Sequence, residues 1–330
     1  MTVQLIIACK DGVVLAEEYG LGWRLRERTL RDVDATSIAC GEKGVFVGTR
    51  DGVYYSADGG HDWQECNKGL EPRYVRRLYM RKSLDKPEML LAGTEPATIQ
   101  KLHLDQDAME WEAAPEVAQL RDANGWSLPY SPRAGCVRGF DFRGGRGYAA
   151  VEVGGLLVSD DGGETWKVAE GSNGKPDCPD PAEPLIWSDV HSVKIDPKHE
   201  GHIYAPTGKG LFKSEDGGAN WKCLYRCYVR AVWVDPDTER RVVAGPADYV
   251  SEGGRIEITN DDGAHWERVE PGEEGKWESE MIERFVPSST HLFAVRTDGM
   301  VMAAPLPGAE PWQVIVPEIT SARALIVKEN

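Results

Sequence analysis

The feature that most constrains this chain is a frame of eight residues, Ser/Thr-x-Asp-x-Gly-x-x-Trp. It occurs four times: SADGGHDW at 56–63, SDDGGETW at 159–166, SEDGGANW at 214–221 and TNDDGAHW at 259–266. These residue types describe a tight hairpin connection. Asp accepts hydrogen bonds from the N–H groups of its own turn, Gly supplies a positive φ, and Ser or Thr ties the incoming strand to the turn. Trp then opens the outgoing strand and offers a large apolar surface that wedges between neighbouring sheets. A satisfied local turn accounts for the Asp residues without calcium ligation or catalysis.

The frame resembles the Asp-box, or BNR, repeat of sialidases, sortilin-type receptors, xyloglucanases and photosystem II assembly factors, and the resemblance implies a β-propeller. Degenerate copies, in which Trp falls seven residues after the first position, extend it over the whole chain: AEEYGLGW at 16–23, LDQDAMEW at 104–111 and PLPGAEPW at 305–312. Trp23, Trp63, Trp111, Trp166, Trp221, Trp266 and Trp312 are then seven anchors about 48 residues apart, the length of a four-stranded blade with its turns. The expected fold is all-β, a single seven-bladed propeller over residues 1–330 with Asp-box turns.

The first blade lacks an innermost strand: IIAC, GVVLAEE and WRLRE supply its second, third and fourth strands. One β-rich run, ARALIV at 322–327, is left over at the other end. It is expected to close the ring against the N-terminal blade, so that no sheet edge is exposed there. The remaining inner strands are expected at 36–40, 75–80, 137–142, 190–195, 229–234 and 282–286. Third strands run straight into the Asp-box turns, which puts those turns on one face of the ring. Two long connections, 115–135 and 170–189, fall on the opposite face, where loops on a rigid scaffold carry function.

Against 38 Lys and Arg stand 54 Asp and Glu, a net charge of −16 that argues against nucleic acid or an anionic membrane as partner. The chain enters a strand-like VQLIIAC at once, without the charged and apolar regions of a signal peptide, so a cytoplasmic location is expected. Its seven cysteines are expected to be reduced; Cys9, Cys40, Cys136 and Cys223 sit in apolar strand contexts. No histidine pair at metal-ligand spacing, P-loop or nucleophile elbow stands in the sequence, so neither metal nor cofactor is expected.

Aligning the inner strands by the repeat gives one column: Thr36, Arg76, Arg138, His191, Arg230, Glu283 and Arg323. Rotational symmetry brings these residues together at the mouth of the channel. Two guanidiniums about 6 Å apart repel by roughly 3 kcal/mol at an effective dielectric of 20. Either a bound anion, gripped by planar forks, or an internal network with Asp189, Glu283, Glu95 and Glu152 must compensate. Tyr74 and Tyr228, each two residues before a column Arg, and the loop aromatics Trp126, Tyr130, Trp187 and Trp277 suit sugar rings or aromatic acids, although loop Trp residues more often pin the loop down.

Glu95 and Glu152, at the ends of second strands, are candidates for a glycosidase carboxylate pair, and His191 for a general base. Sialidases resemble this chain in their Asp boxes and in using an arginine cluster with Tyr and Glu, but their Arg-Ile-Pro signature has no match here. Two functions follow as expectations: a ligand-binding propeller with an arginine-lined anion site, acting as a glycosidase-like hydrolase or lyase on an acidic or polar saccharide; or a noncatalytic binding or assembly scaffold for a protein partner. A monomer is expected.

Overall fold

The computed structural model describes residues 3–20, 22–83, 85–106, 108–131, 134–180, 182–269 and 279–329. Its strands form seven four-stranded antiparallel sheets. The inner strands touch in cyclic order and close a ring, a seven-bladed β-propeller. From blade one to blade seven they are Ala322–Glu329, Ala35–Gly41, Val75–Arg81, Cys136–Arg143, Lys194–Ile195, Tyr228–Val234 and Ile282–Pro287. Trp277 lies outside the described residues.

Ring closure follows the expectation. Ala322–Glu329 pairs antiparallel with Val3–Cys9, and Gly12–Tyr19 and Gly22–Thr29 complete that blade. The Asp boxes are built alike in all four clean copies. The Ser or Thr hydroxyl donates to the Asp carboxylate at 2.7–2.8 Å and accepts the N–H of the frame's Gly at 2.7–2.9 Å. That Gly has φ of 90–103° in each box, a conformation that penalises a side chain. Trp166 lies in a core cluster with Leu91 and Ile99 of blade three and Phe140 of blade four, so it wedges between sheets as its size suggests. Trp111, Trp221 and Trp312 are buried likewise, whereas Trp23, Trp63 and Trp266 are half-buried.

Two details depart from the sequence reading. Connection 115–135 contains a helix, Pro115–Asn124, with Pro in its first turn and Gly125 at φ 66° ending it. The inner strand of blade five is not a strand over 190–195; only Lys194–Ile195 is paired, with an isolated bridge between Val190 and Thr207. Pro206 stands opposite that stretch and has no N–H to donate, so the ladder is interrupted there.

Candidate functional site

Six of the seven column positions are β-bulges. In blades two, three, four and seven the register skips Thr36, Arg76, Arg138 and Glu283, and in blade one Arg323; in blade six Arg230 and Ala231 together oppose one residue. A bulge re-aims its extra side chain out of the pleat. Second-strand glycines allow the tight ring this needs: a Cβ on Gly48, Gly93 or Gly245 would meet Val75, Val137 or Ile282 of the next blade at 2.6 Å.

The column side chains form an alternating chain of ion pairs. Arg76 lies 3.2 Å from Glu95 and 4.0 Å from Glu152; Arg138 lies 3.1 Å from Glu152 and 3.3 Å from Glu283, which also pairs closely with Arg230. Arg323 pairs with Asp34 at 3.0 Å. Thr36 donates to the Gly48 and Val75 carbonyls. The guanidiniums of Arg76 and Arg230 also donate to the hydroxyls of Tyr74 and Tyr228, two residues upstream, with each ring centroid 5.4 Å away. Buried His191 sets Nδ1 against the Val229 carbonyl at 2.7 Å and Nε2 3.2 Å from Asp189.

At the mouth of the channel lies a cavity of about 350 Å³. Its wall carries Lys10, Arg76, Arg138, Arg284, Arg296 and Arg323 against two carboxylates, Glu283 and Asp298, with Tyr74 and Thr36 alongside. Arg138, Glu283 and Arg284 separate it from a smaller cavity of about 60 Å³ that reaches Arg77, His191, Lys194 and Arg230. Lys10, Arg77, Arg284 and Arg296 were not among the sequence candidates. The signal for two of them is the residue after the bulge, in VRRLYM and IERFVP, because both residues of a bulge turn toward the axis.

The remaining candidates stand apart from the cavities. Glu95 and Glu152 are buried, share Arg76 and border neither cavity. Burial alone would push the Glu152 carboxyl up, but Arg138 and His191, with hydrogen bonds from Tyr130 and Cys136, hold it at about 2. Ser131 donates to Glu95 at 2.6 Å. Trp126 is buried and its indole N–H is spent on the Gly174 carbonyl at 2.7 Å, so it pins one long connection to the other instead of facing a ligand. Trp187 is half-buried under the ammonium of Lys209.

Two groups bring metal-ligand atoms within 4.8 Å of one another: Asp196, His199 and His202, and Glu152, Asp189 and His191. The spacing reading overlooked His199 and His202, three residues apart in a turn that Asp196 caps through the N–H groups of Lys198 and His199. In the second group Glu152 already neutralises Arg138. The cysteines described are all free thiols.

Stability should follow these depressed carboxyls. Glu152, Asp58, Asp161 and Asp261 all fall to about 2 in the folded state. A lowered folded pKa contributes stability that is complete above the ordinary carboxyl range and lost as pH falls toward the folded value. The melting temperature is therefore expected to hold down to about pH 5 and fall between about 4.5 and 2. Glu152→Gln should flatten this limb, since Glu152 alone accounts for on the order of 3 kcal/mol. Parallel wild-type and variant profiles would contradict it.

The BNR/Asp-box repeat family matches the chain at residues 157–168. No curated protein matches it. Among solved structures, an ancestral GH74 enzyme aligns at TM-score 0.60 and 13% identity over 89% of this chain, which spans 38% of that enzyme. The computationally designed Ika8 protein aligns at TM-score 0.59 and 15% identity, covering 99% of this chain and 88% of that one. YCF48 from Cyanidioschyzon merolae aligns at 0.53 and 14%, covering 87% and 86%. At these identities the likeness is one of fold.

Proposed function

We propose that this seven-bladed Asp-box propeller is a binding protein that grips a small anionic ligand, of the class of acidic sugars, in the mouth cavity. The observation that carries the reading is the wall itself: among the described residues six cationic side chains line it with two carboxylates, on a chain whose net charge is −16. Arg76, Arg138, Arg296 and Arg323 each have a carboxylate within 4.0 Å, but among the described residues neither Lys10 nor Arg284 does, so two wall cations are left uncompensated. Hydrolysis is the weaker reading. Glu152 has no proton to donate at neutral pH, and neither Glu95 nor Glu152 borders the cavity. A scaffold role draws its support from Tyr130, Tyr249 and Val250, exposed in connections on the same face as the cavity.

Glucuronate or galacturonate, compared with glucose or galactose at constant ionic strength, should raise the melting temperature of the wild type. At one hundred times the dissociation constant the shift is about 4 °C. Lys10→Ala and Arg323→Ala should lose most of it. Equal shifts from neutral and acidic sugars, or from wild type and both variants, would leave the scaffold reading ahead.

A further inference from the structure

Arg76, Arg138, Arg296 and Arg323 of the mouth wall have acidic partners, but Arg284, which borders both cavities, and Arg77, which borders only the inner one, do not. Arg77 in blade three and Arg284 in blade seven each follow a bulge residue, where the other blades place Ser37, Gly139, Ser192, Ala231 and Ala324. Among the described residues no carboxylate lies within 4.0 Å of either one. Arg284 donates through Nε to the Arg323 carbonyl at 3.1 Å. The Nε of Arg77 is shut off from solvent and, among the described residues, has no acceptor. Asp141 is the acid whose field reaches Arg77, and it is already engaged by the Ile195 N–H at 2.9 Å, the Tyr79 hydroxyl at 3.2 Å and Lys194 at 4.0 Å. Glu283 is likewise taken up by Arg138 and Arg230.

Both guanidiniums border the inner cavity of about 60 Å³, which also carries Arg138, Lys194 and Arg230 against Glu283, its one carboxylate among the described residues. Water there cannot neutralise the excess. Burial pushes the Arg77 guanidinium toward its neutral form, the sign of an uncompensated charge in a poorly solvated place. We infer that the inner cavity is a second anion site, separate from the mouth cavity, that holds a small inorganic anion, a halide or nitrate, against Arg77 and Arg284. A sugar acid needs the larger space above. The anion links blades three and seven across the axis and therefore acts as a structural ion of the ring.

The test starts from protein exchanged into sodium isethionate, whose anion is too large for the inner cavity, with chloride or nitrate titrated in at constant ionic strength. The wild type should show a saturable rise in melting temperature, about 4 °C at one hundred times the dissociation constant. Lys10→Ala, which alters only the mouth wall, should keep this response, and Arg77→Met should abolish it. In isethionate Arg77→Met should melt at or above the wild type, because the uncompensated charge is gone. A full response in Arg77→Met, or its loss in Lys10→Ala, overturns the assignment. Should Arg77→Met not fold, a wild-type crystal grown in bromide decides. An anomalous peak touching Arg77 and Arg284 supports the site, and no peak there overturns it. Failure of the uronate experiment leaves these outcomes untouched, because they are read on Arg77, which the mouth cavity lacks, and with a different solute.

Discussion

Ending the chain at residue 317 should abolish cooperative folding altogether, not lower the melting temperature by a few degrees. The lost segment includes the whole inner strand Ala322–Glu329, which makes seven residue pairs with Val3–Cys9. Ala322, Ala324 and Leu325 are buried; Ala322 and Leu325 join Leu5, Ile7 and Val14 of blade one to Phe293, Val295 and Val301 of blade seven, and Ala324 packs with Ile6 and Ala8 against Ala35 and Val47 of blade two. Removing buried Ile319 and Leu325 forfeits about 1.5–3 kcal/mol each, and half-buried Ile326 and Val327 add roughly half as much apiece. Their sum is comparable with the 5–15 kcal/mol that holds a typical domain together. The cut also leaves Val3–Cys9 as an open edge in the middle of the ring. A circular-dichroism melt should show a broad, non-cooperative change, and a peptide of residues 318–330 added in trans should restore the sharp transition. A truncated protein that melts sharply near the full-length temperature would show that the ring does not depend on this closure.

That closure was legible because it follows from counting. Seven Trp anchors demand seven inner strands, six were found between them, and one β-rich run remained. The column of Arg76, Arg138, Arg230 and Arg323 was legible for a related reason, since a repeat position becomes a position around one axis whatever the loops do. Its pairing was not. Glu95 and Glu152 come from the ends of second strands and Asp34 from a connection, and which guanidinium each reaches depends on blade tilt and on bulges that leave no mark in the residue pattern. The inner strand of blade five failed for a local cause, Pro206, whose missing N–H breaks a ladder that the apolar alternation of VHSVKI suggests. Trp126 failed for a tertiary one. Composition shows an aromatic in a long connection, but only the fold shows its N–H reaching Gly174.

The column's one carboxylate is its point of greatest leverage. Glu283 accepts from Arg138 at 3.3 Å and pairs still more closely with Arg230, and all three side chains are more than three-quarters shielded from solvent. Glu283→Ala leaves two buried guanidiniums facing each other with no acid between them. Breaking such a pair costs about 3–5 kcal/mol. For a chain of this length that corresponds to a melting temperature lower by roughly 4–7 °C. Glu283→Gln keeps the shape and one acceptor oxygen but loses the charge and the second acceptor, so it should fall between the wild type and Glu283→Ala. Among the described residues the same change removes one of two carboxylates from the mouth wall and the one carboxylate from the inner wall. Both cavities become more positive, so uronate and chloride should each stabilise Glu283→Ala more than they stabilise the wild type, recovering part of the lost melting temperature. This inverse pairing separates a charge effect from a packing defect, since a cavity left by lost methylenes would not be repaired by an anion. A Glu283→Ala protein that melts with the wild type, or one whose deficit is the same in isethionate, chloride and uronate, would mean that the arginines of this ring do not depend on Glu283 for their balance.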